Sequence, residues 1–293
     1  MRRYNISFIV CLIAIFWATT SYAIMAYIDQ FTITRDGTTV LNDTFTDGVP
    51  PPSGPAGADT YFLSQGTPGP ESGGLLELNT ANGSFSANAI ETPRVVVVVT
   101  RLTCIIDCPV GSSKLGNTNL LKETGLFSFT IPTGPQFQAY GIRFSDNVAD
   151  RTGHGQLVQL FVRFNDTDGK PEIAYVLQDF EHNIITPLGA PVDLLASLKS
   201  LSELQNPVVP DQILFTLSQS VAGGSFCGSY EFFENNLDTG HGGAFNCGTL
   251  FNGVDYVRGQ FFAAQGVPEP ETWLLMGVGV LGLVLVARRR GKI

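Results

Sequence analysis

The sequence predicts an all-β sandwich with one short helix, and three observations carry that prediction. Short runs of alternating apolar and polar residues recur between turn-forming residues. Charged side chains are sparse at 15%, while glycine is abundant with 32 copies and phenylalanine with 21. A single stretch spaces its leucines as a helix would. Strands of about five to ten residues with turn signals between them build two packed sheets. Without alternating long helices a parallel α/β sheet is not expected, and no period of about 20–50 residues announces a propeller or solenoid.

The elements follow in order. Residues 1–23, MRRYNISFIVCLIAIFWATTSYA, begin with two arginines and continue with an apolar stretch over 6–18. They end on Ser21-Tyr22-Ala23, a small-x-small junction. This is the pattern of a secretory signal helix cut after Ala23. Residues 30–45 alternate around Asp36-Gly37, the strongest short hairpin signal. Residues 48–74 are rich in Gly, Pro and Ser, so no regular element is expected there. Strands are expected at 74–79 and 84–89. Residues 94–101 contain five consecutive valines, which suits a strand buried on both faces. Further strands are expected at 126–131, 140–145, 156–165 and 172–180, the last two flanking Asp166-Thr167-Asp168-Gly169. Others are expected at 184–188, 213–218, 228–234 and 256–263. Between them VDLLASLKSLSELQ, residues 192–205, places Leu194, Leu195, Leu198, Leu201 and Leu204 close to one helical stripe, ending before Pro207. The size and strand count of residues 24–266 resemble a single jelly-roll, concanavalin-like sandwich domain.

The last residues, VPEPETWLLMGVGVLGLVLVARRRGKI, form a third segment, 267–293. The uncharged stretch 272–287 covers about 24 Å as a helix, slightly short of a hydrocarbon core of about 30 Å. Trp273 stands at its entry. Gly277, Gly279 and Gly282 suit close helix contact in a membrane, and Arg288, Arg289 and Arg290 suit its cytoplasmic end. The order of Pro268, Glu269 and Pro270, a transmembrane helix and an arginine cluster resembles the PEP-CTERM sorting signal of Gram-negative bacteria. The resemblance implies that an exosortase-type transpeptidase processes the tail near the Pro-Glu-Pro motif. With the signal peptide it implies Sec export and a transient stay in the inner membrane, followed by the cell surface or the exopolysaccharide matrix. It is confined to the tail and implies nothing about residues 24–266.

Composition bounds the body. The chain has 17 basic and 26 acidic side chains; without the two end segments 11 basic and 24 acidic remain, a net charge of −13. Such a body repels phosphate backbones, so nucleic acid is not an expected partner. Cys11 leaves with the signal peptide, so Cys104, Cys108, Cys227 and Cys247 remain. An even number in an exported chain reads as disulfides. Of three pairings, Cys104 with Cys108 and Cys227 with Cys247 are favoured, each pair being close in sequence. The second would staple the loop holding residues 235–243. The rival reading is a metal site combining these cysteines with His154 or His241, but Cys-x-x-x-Cys is not the usual tight zinc spacing.

The search for chemistry returns little. A glycosidase needs two carboxylates flanking one bond; Glu-x-Asp-x-Glu does not occur. Asp179 with Glu181, and Glu231 with Glu234, are the nearest acids and read better as solvated edge residues. Gly-x-Ser-x-Gly and His-Glu-x-x-His are missing. His154, His182 and His241 are scattered, two of them in glycine-rich loops. Calcium is the one cofactor considered, through Asp166 and Asp168, with Asp43 and Asp47 flanking another turn. The twelfth position from Asp166 is Leu177, so the helix-loop-helix calcium motif fails. The body has no tryptophan, which leaves Tyr61, Tyr140, Tyr175, Tyr230 and Tyr256 for sugar stacking. The expectation is a non-catalytic exported protein with a structural, adhesive or weak glycan-binding role. The alternative is a carbohydrate-active hydrolase or lyase.

Overall fold

The computed structural model describes residues 24–53, 61–82, 84–85, 94–100, 120–132, 138–145, 156–165, 167–179, 182, 184–221, 224–248 and 258–265. The expected signal helix, the membrane helix, Cys104, Cys108, Asp166, Glu181, His154 and Tyr256 lie outside them. Among the described residues no helix is long and apolar enough to cross a membrane.

Two antiparallel sheets face each other. The strands of the first are β1 (Met25–Arg35), β2 (Thr38–Asp43), β4 (Glu71–Ser72), β5 (Leu75–Asn79), β8 (Leu121–Ser128), β14 (Gln212–Gln219), β15 (Phe226–Glu234) and β16 (Leu237–Ala244). Their order is β16-β15-β14-β8-β1-β5-β4, with β2 also paired to β1. The second sheet contains β3 (Tyr61–Gln65), β6 (Ser84–Phe85), β7 (Arg94–Thr100), β9 (Gln138–Ser145), β10 (Gln156–Asn165), β11 (Lys170–Asp179), β12 (Ile184–Pro187), β13 (Val192–Asp193) and β17 (Arg258–Gln265). Its order is β12-β11-β10-β9-β17-β7-β3, with β13 on β11 and β6 on β7. The expected β-sandwich is therefore the fold.

Alternation explains the inner faces. Ala26, Ile28, Phe31 and Ile33 of β1 are buried, and the change of spacing from Ile28 to Phe31 coincides with a register shift against β8. A bulge there preserves the inward row. From the second sheet β17 meets this row, while on β9 Tyr140 packs on Phe127 of β8, Ile142 lies beside Gly125 and Phe144 packs on Phe226 of β15. The rings of Phe31, Phe45 and Tyr61 all pack edge-on against Phe261 of β17, with centroids 4.9, 5.8 and 5.9 Å away. Edge-to-face pairs of this kind contribute about 0.5–1.5 kcal/mol each beyond their burial.

The valine strand behaves as its composition predicts. Val96, Val97 and Val98 are all fully buried, Val96 and Val98 in the core between the sheets. Val97 belongs to a second apolar cluster with Ala139, Phe161, Ala174, Val176, Phe262 and Ala264. The outer face of the first sheet is polar by contrast, where Gln30 and Thr32 both donate to Asn42 Oδ1.

The helix α1 (Leu194–Ser202) starts where Asp193 Oδ1 accepts the Ala196 amide at 2.9 Å, an N-cap that satisfies one orphan donor. Leu194 and Leu201 are buried and Leu198 partly so, whereas Leu195 and Leu204 stay exposed. The expected stripe is thus narrower than five leucines.

Two expectations are corrected. The stretch 48–74 does contain strands: β3, whose partner β7 is supplied by a distant part of the chain, and β4, which folds back on β5 across the Gly73-Gly74 turn with φ of 64° and 81°. Residues 237–244 form β16 rather than a loop. Asn235 and Asn236 both take positive φ, 53° and 63°, and this two-residue turn folds β16 back on β15. His241 therefore sits in a strand, opposite Phe232. The Asp36-Gly37 hairpin is as expected, with φ of 51° and 77°.

Register sorts the strand ends into two poles. Met25 pairs with Asn79, Tyr27 with Ser128, and Ser128 with Gln212. In the second sheet Gln265 pairs with both Gln138 and Arg94. These ends share one pole, because Thr80 bridges Ile24 and Gln265 across the sheets. Arg35, Leu121, Gln219 and Phe226 mark the opposite pole, as do Ser145, Leu157 and Arg258.

Candidate functional site

At the pole opposite Ile24, Cys227 opens β15 and forms a disulfide with Cys247, 20 residues on, with Cα atoms 4.1 Å apart. The bond closes the β15–β16 hairpin beyond Ala244. Phe226 and Gly248 exchange two backbone hydrogen bonds beside it. One of the two favoured pairings is thus formed; the other lies outside the described residues.

Asp179 stands at the same pole. Its Oδ2 accepts from Gln156 Nε2 at 3.0 Å and lies 2.9 Å from His182 Nδ1, while Oδ1 accepts the His182 amide at 3.1 Å. The hydrogen bond from His182 holds this carboxyl below its usual range. A carboxyl kept ionised in this way is poorly suited to donate a proton. Glu231 is exposed on β15 opposite Gly242. Asp168 is an exposed turn residue next to Gly169, whose φ is 65°.

Among the described residues Asp43, Asp47 and Glu71 form a gathering of carboxylates that the sequence did not assemble. Asp43 ends β2 and is buried; its Oδ1 accepts the Phe45 amide at 3.0 Å and its Oδ2 accepts the Tyr61 hydroxyl at 2.9 Å. Glu71 of β4 accepts the Gly48 amide at 2.9 Å and shares a hydrogen bond with Asp47. Burial raises both carboxyls, and the neighbouring acids raise them further. Phe45 takes the left-handed conformation with φ of 48°, a cost for a bulky residue. Its buried ring against Phe261 holds it there. This corner fixes the loop after β2 to the core. Asp43 and Asp47 were visible as turn acids; Glu71 comes from β4, the short first arm of a hairpin that turns at Gly73-Gly74 inside the stretch read as a loop.

A second carboxyl, Asp29, lies at the pole of the chain ends. It accepts from Ser128 Oγ at 2.8 Å and from Gln212 Nε2 at 2.5 Å, and burial raises its pKa. Gln212 also ties in the Asn235-Asn236 turn. Among the described residues no group of three or more His, Cys, Asp or Glu side chains is placed to hold a metal ion.

The aromatic candidates are mostly core. Tyr61, Tyr140 and Tyr175 are fully buried, and burial raises the Tyr140 and Tyr175 hydroxyls. Tyr230 is nearly so, at 7% exposure. None of the four presents an open face for a sugar ring.

The site with an assignable role is the tail that follows β17. Residues 266–290 match the family model of the PEP-CTERM protein-sorting motif. The chain ends in a PEP-CTERM sorting motif. The match contains Pro268, Glu269, Pro270, Arg288, Arg289 and Arg290, the residues that carried the sequence resemblance. No curated protein and no solved structure matches the chain. The motif marks an exosortase-sorted, exported and membrane-processed protein. It begins one residue after β17 ends.

Proposed function

We propose that the sandwich is a non-catalytic module delivered to the cell surface or the exopolysaccharide matrix, where it serves a structural, adhesive or weak glycan-binding role. The observation that carries this reading is the sorting motif at 266–290. Residues 1–23 act as the signal peptide and Sec substrate, so the mature body starts at Ile24. The tail holds the precursor in the inner membrane until an exosortase-type transpeptidase acts.

The disulfide between Cys227 and Cys247 supports residence in an oxidising compartment. The engagement of Asp43, Glu71, Asp29 and Asp179 in hydrogen bonds within the fold supports a non-catalytic body. The net charge of −13 disfavours nucleic acid as a partner.

The test is a screen of the exported mature protein against bacterial polysaccharides, with and without calcium, reading both binding and new reducing ends. Binding without cleavage is the expected outcome for a matrix module, and a calcium requirement would direct attention to the turn of Asp166 and Asp168. New reducing ends would overturn the non-catalytic reading in favour of a hydrolase or lyase. Terminal sequencing of the same material should begin at Ile24.

A further inference from the structure

Thr80 opens a 3-10 turn, Thr80–Asn82, after β5 and is fully buried. Its hydroxyl accepts the Ile24 amide at 3.0 Å and donates to Gln265 Oε1 at 2.8 Å. Its own amide donates to the Ile24 carbonyl at 3.1 Å. Ile24 leads into β1 of the first sheet; Gln265 is the last residue of β17 in the second. One side chain thus fastens the start of the body to its end.

We propose that Thr80 is a positioning residue for tail sorting: by pinning Gln265 it sets how often the chain beside the motif is released to the sorting enzyme. The proposal rests on the reading of residues 266–290 as the exosortase-sorted segment. The strand β17 is interior, with β9 on one side and β7 on the other. The Gln265 side chain is only 1% exposed. The matched segment starts at residue 266, directly after the last residue of this interior strand, and Pro268 follows two residues later. An enzyme that takes an extended segment gains room only when the last residues of β17 open. Where opening and closing are fast, the rate of such a reaction follows the population of the open form. Thr80 raises the cost of opening, since losing its hydroxyl removes the bond that the buried Ile24 amide donates and the one that Gln265 Oε1 accepts.

The experiment follows the full chain in its exporting cell and reads the rate at which tail-bearing protein becomes tail-free. Thr80→Val and Gln265→Leu each remove the link without emptying space, and Thr80→Ser keeps the hydroxyl. Conversion should rise about tenfold in the first two, the factor that about 1.4 kcal/mol of lost hydrogen bonding supplies. Thr80→Ser should convert like the parent. Phe215→Leu, in the core away from this link, serves as a control of comparable melting temperature and should convert at the parental rate. Equal conversion in Thr80→Val and the parent would overturn the proposal, as would faster conversion in Phe215→Leu, which would make general instability the cause. If Thr80→Val does not accumulate, Gln265→Leu decides alone. A parent chain that never loses its tail would overturn the sorting reading itself, a result distinct from a parent that converts while its variants match it.

Discussion

At the scale of single residues the sandwich contains one deliberate-looking misfit. Glu123 of β8 points into the core, fully buried, and neither carboxylate oxygen makes a hydrogen bond of ordinary geometry. It lies over Gly259 of β17, where an added Cβ would stand 2.5 Å from Oε2. The amides of Gln260 and Arg143 and the Arg143 charge favour ionisation, but desolvation outweighs them and raises the pKa well above the usual carboxylate range. The native state therefore keeps a proton that the unfolded chain has already lost. Between the ordinary glutamate value and the raised one, the unfolded state binds fewer protons, so stability falls as pH rises. The Arg143 side chain lies on the other face of the second sheet, where its Nε donates to Gln260 Oε1 at 2.6 Å and its guanidinium lies over the Phe262 ring, so it is the Arg143 amide, with the charge behind it, that meets Glu123. Urea midpoints of Glu123→Gln measured from pH 5 to 8 should show a shallower fall than the parent's, and a parallel pair of curves would refute the assignment. Glu123→Leu should gain about 1–3 kcal/mol, the cost of an unsatisfied buried polar group, at neutral pH.

At the scale of elements, close backbone approach decides which glycines are fixed. Gly141 of β9 lies where a Cβ would meet the Leu160 carbonyl oxygen at 2.2 Å and the Phe161 Cα at 2.7 Å. Both obstacles belong to β10 and neither can swing aside. Gly141→Ala should cost about 3 kcal/mol, the upper range for an overpacked core, and lower the melting temperature accordingly. The β15–β16 hairpin makes a second case. Its strand β16 is mostly exposed, so little apolar burial holds it, and the disulfide carries more of the load. A closed loop of this size is worth about 3 kcal/mol in the chain-entropy model. Cys227→Ser with Cys247→Ser should lose roughly that amount, and hydrogen exchange should rise first at β16. If exchange rises equally across both sheets, the hairpin is not a separate unit.

How much of this was legible follows from the same elements. The β10–β11 hairpin and the valine strand announce themselves, because their alternation or continuous apolarity mirrors where their faces go. The strand β16, LDTGHGGA, has no apolar rhythm; only Asn235-Asn236 signals it, through the readiness of asparagine for positive φ. The strand β3 is hidden among prolines and glycines and exists because the distant β7 completes its ladder, whereas the two residues of β4 pair back on β5 across Gly73-Gly74, a turn signal too short of strand residues on its first arm to be read as a hairpin. The candidate site divides in the same way. The sorting motif is linear and could be read directly. The Asp43, Asp47 and Glu71 corner and the Thr80 link are made by tertiary contact, and no spacing rule brings their members together.

At the scale of the whole molecule, the two sheets share one core, and the chain enters and leaves it at a single pole. The disulfide stands at the other. The disulfide is thus remote from Gln265, the last described residue before the sorting motif. Mild protease treatment should cut at the exposed Ser220 and Val221 before it reaches Ile24, whose amide is buried. Cutting in the reverse order would refute the Thr80 link as what closes the pole of Ile24 and Gln265.

The meeting of Ile24 and Gln265 on one hydroxyl has a topological consequence as well. The body is almost a ring. A linker of a few residues from Gln265 to Ile24 would close it, and new ends could be opened between β14 and β15 without breaking any sheet order. Such a circular permutant should fold to the same sandwich, because the order in which this chain is synthesised matters less to its architecture than which strands lie side by side.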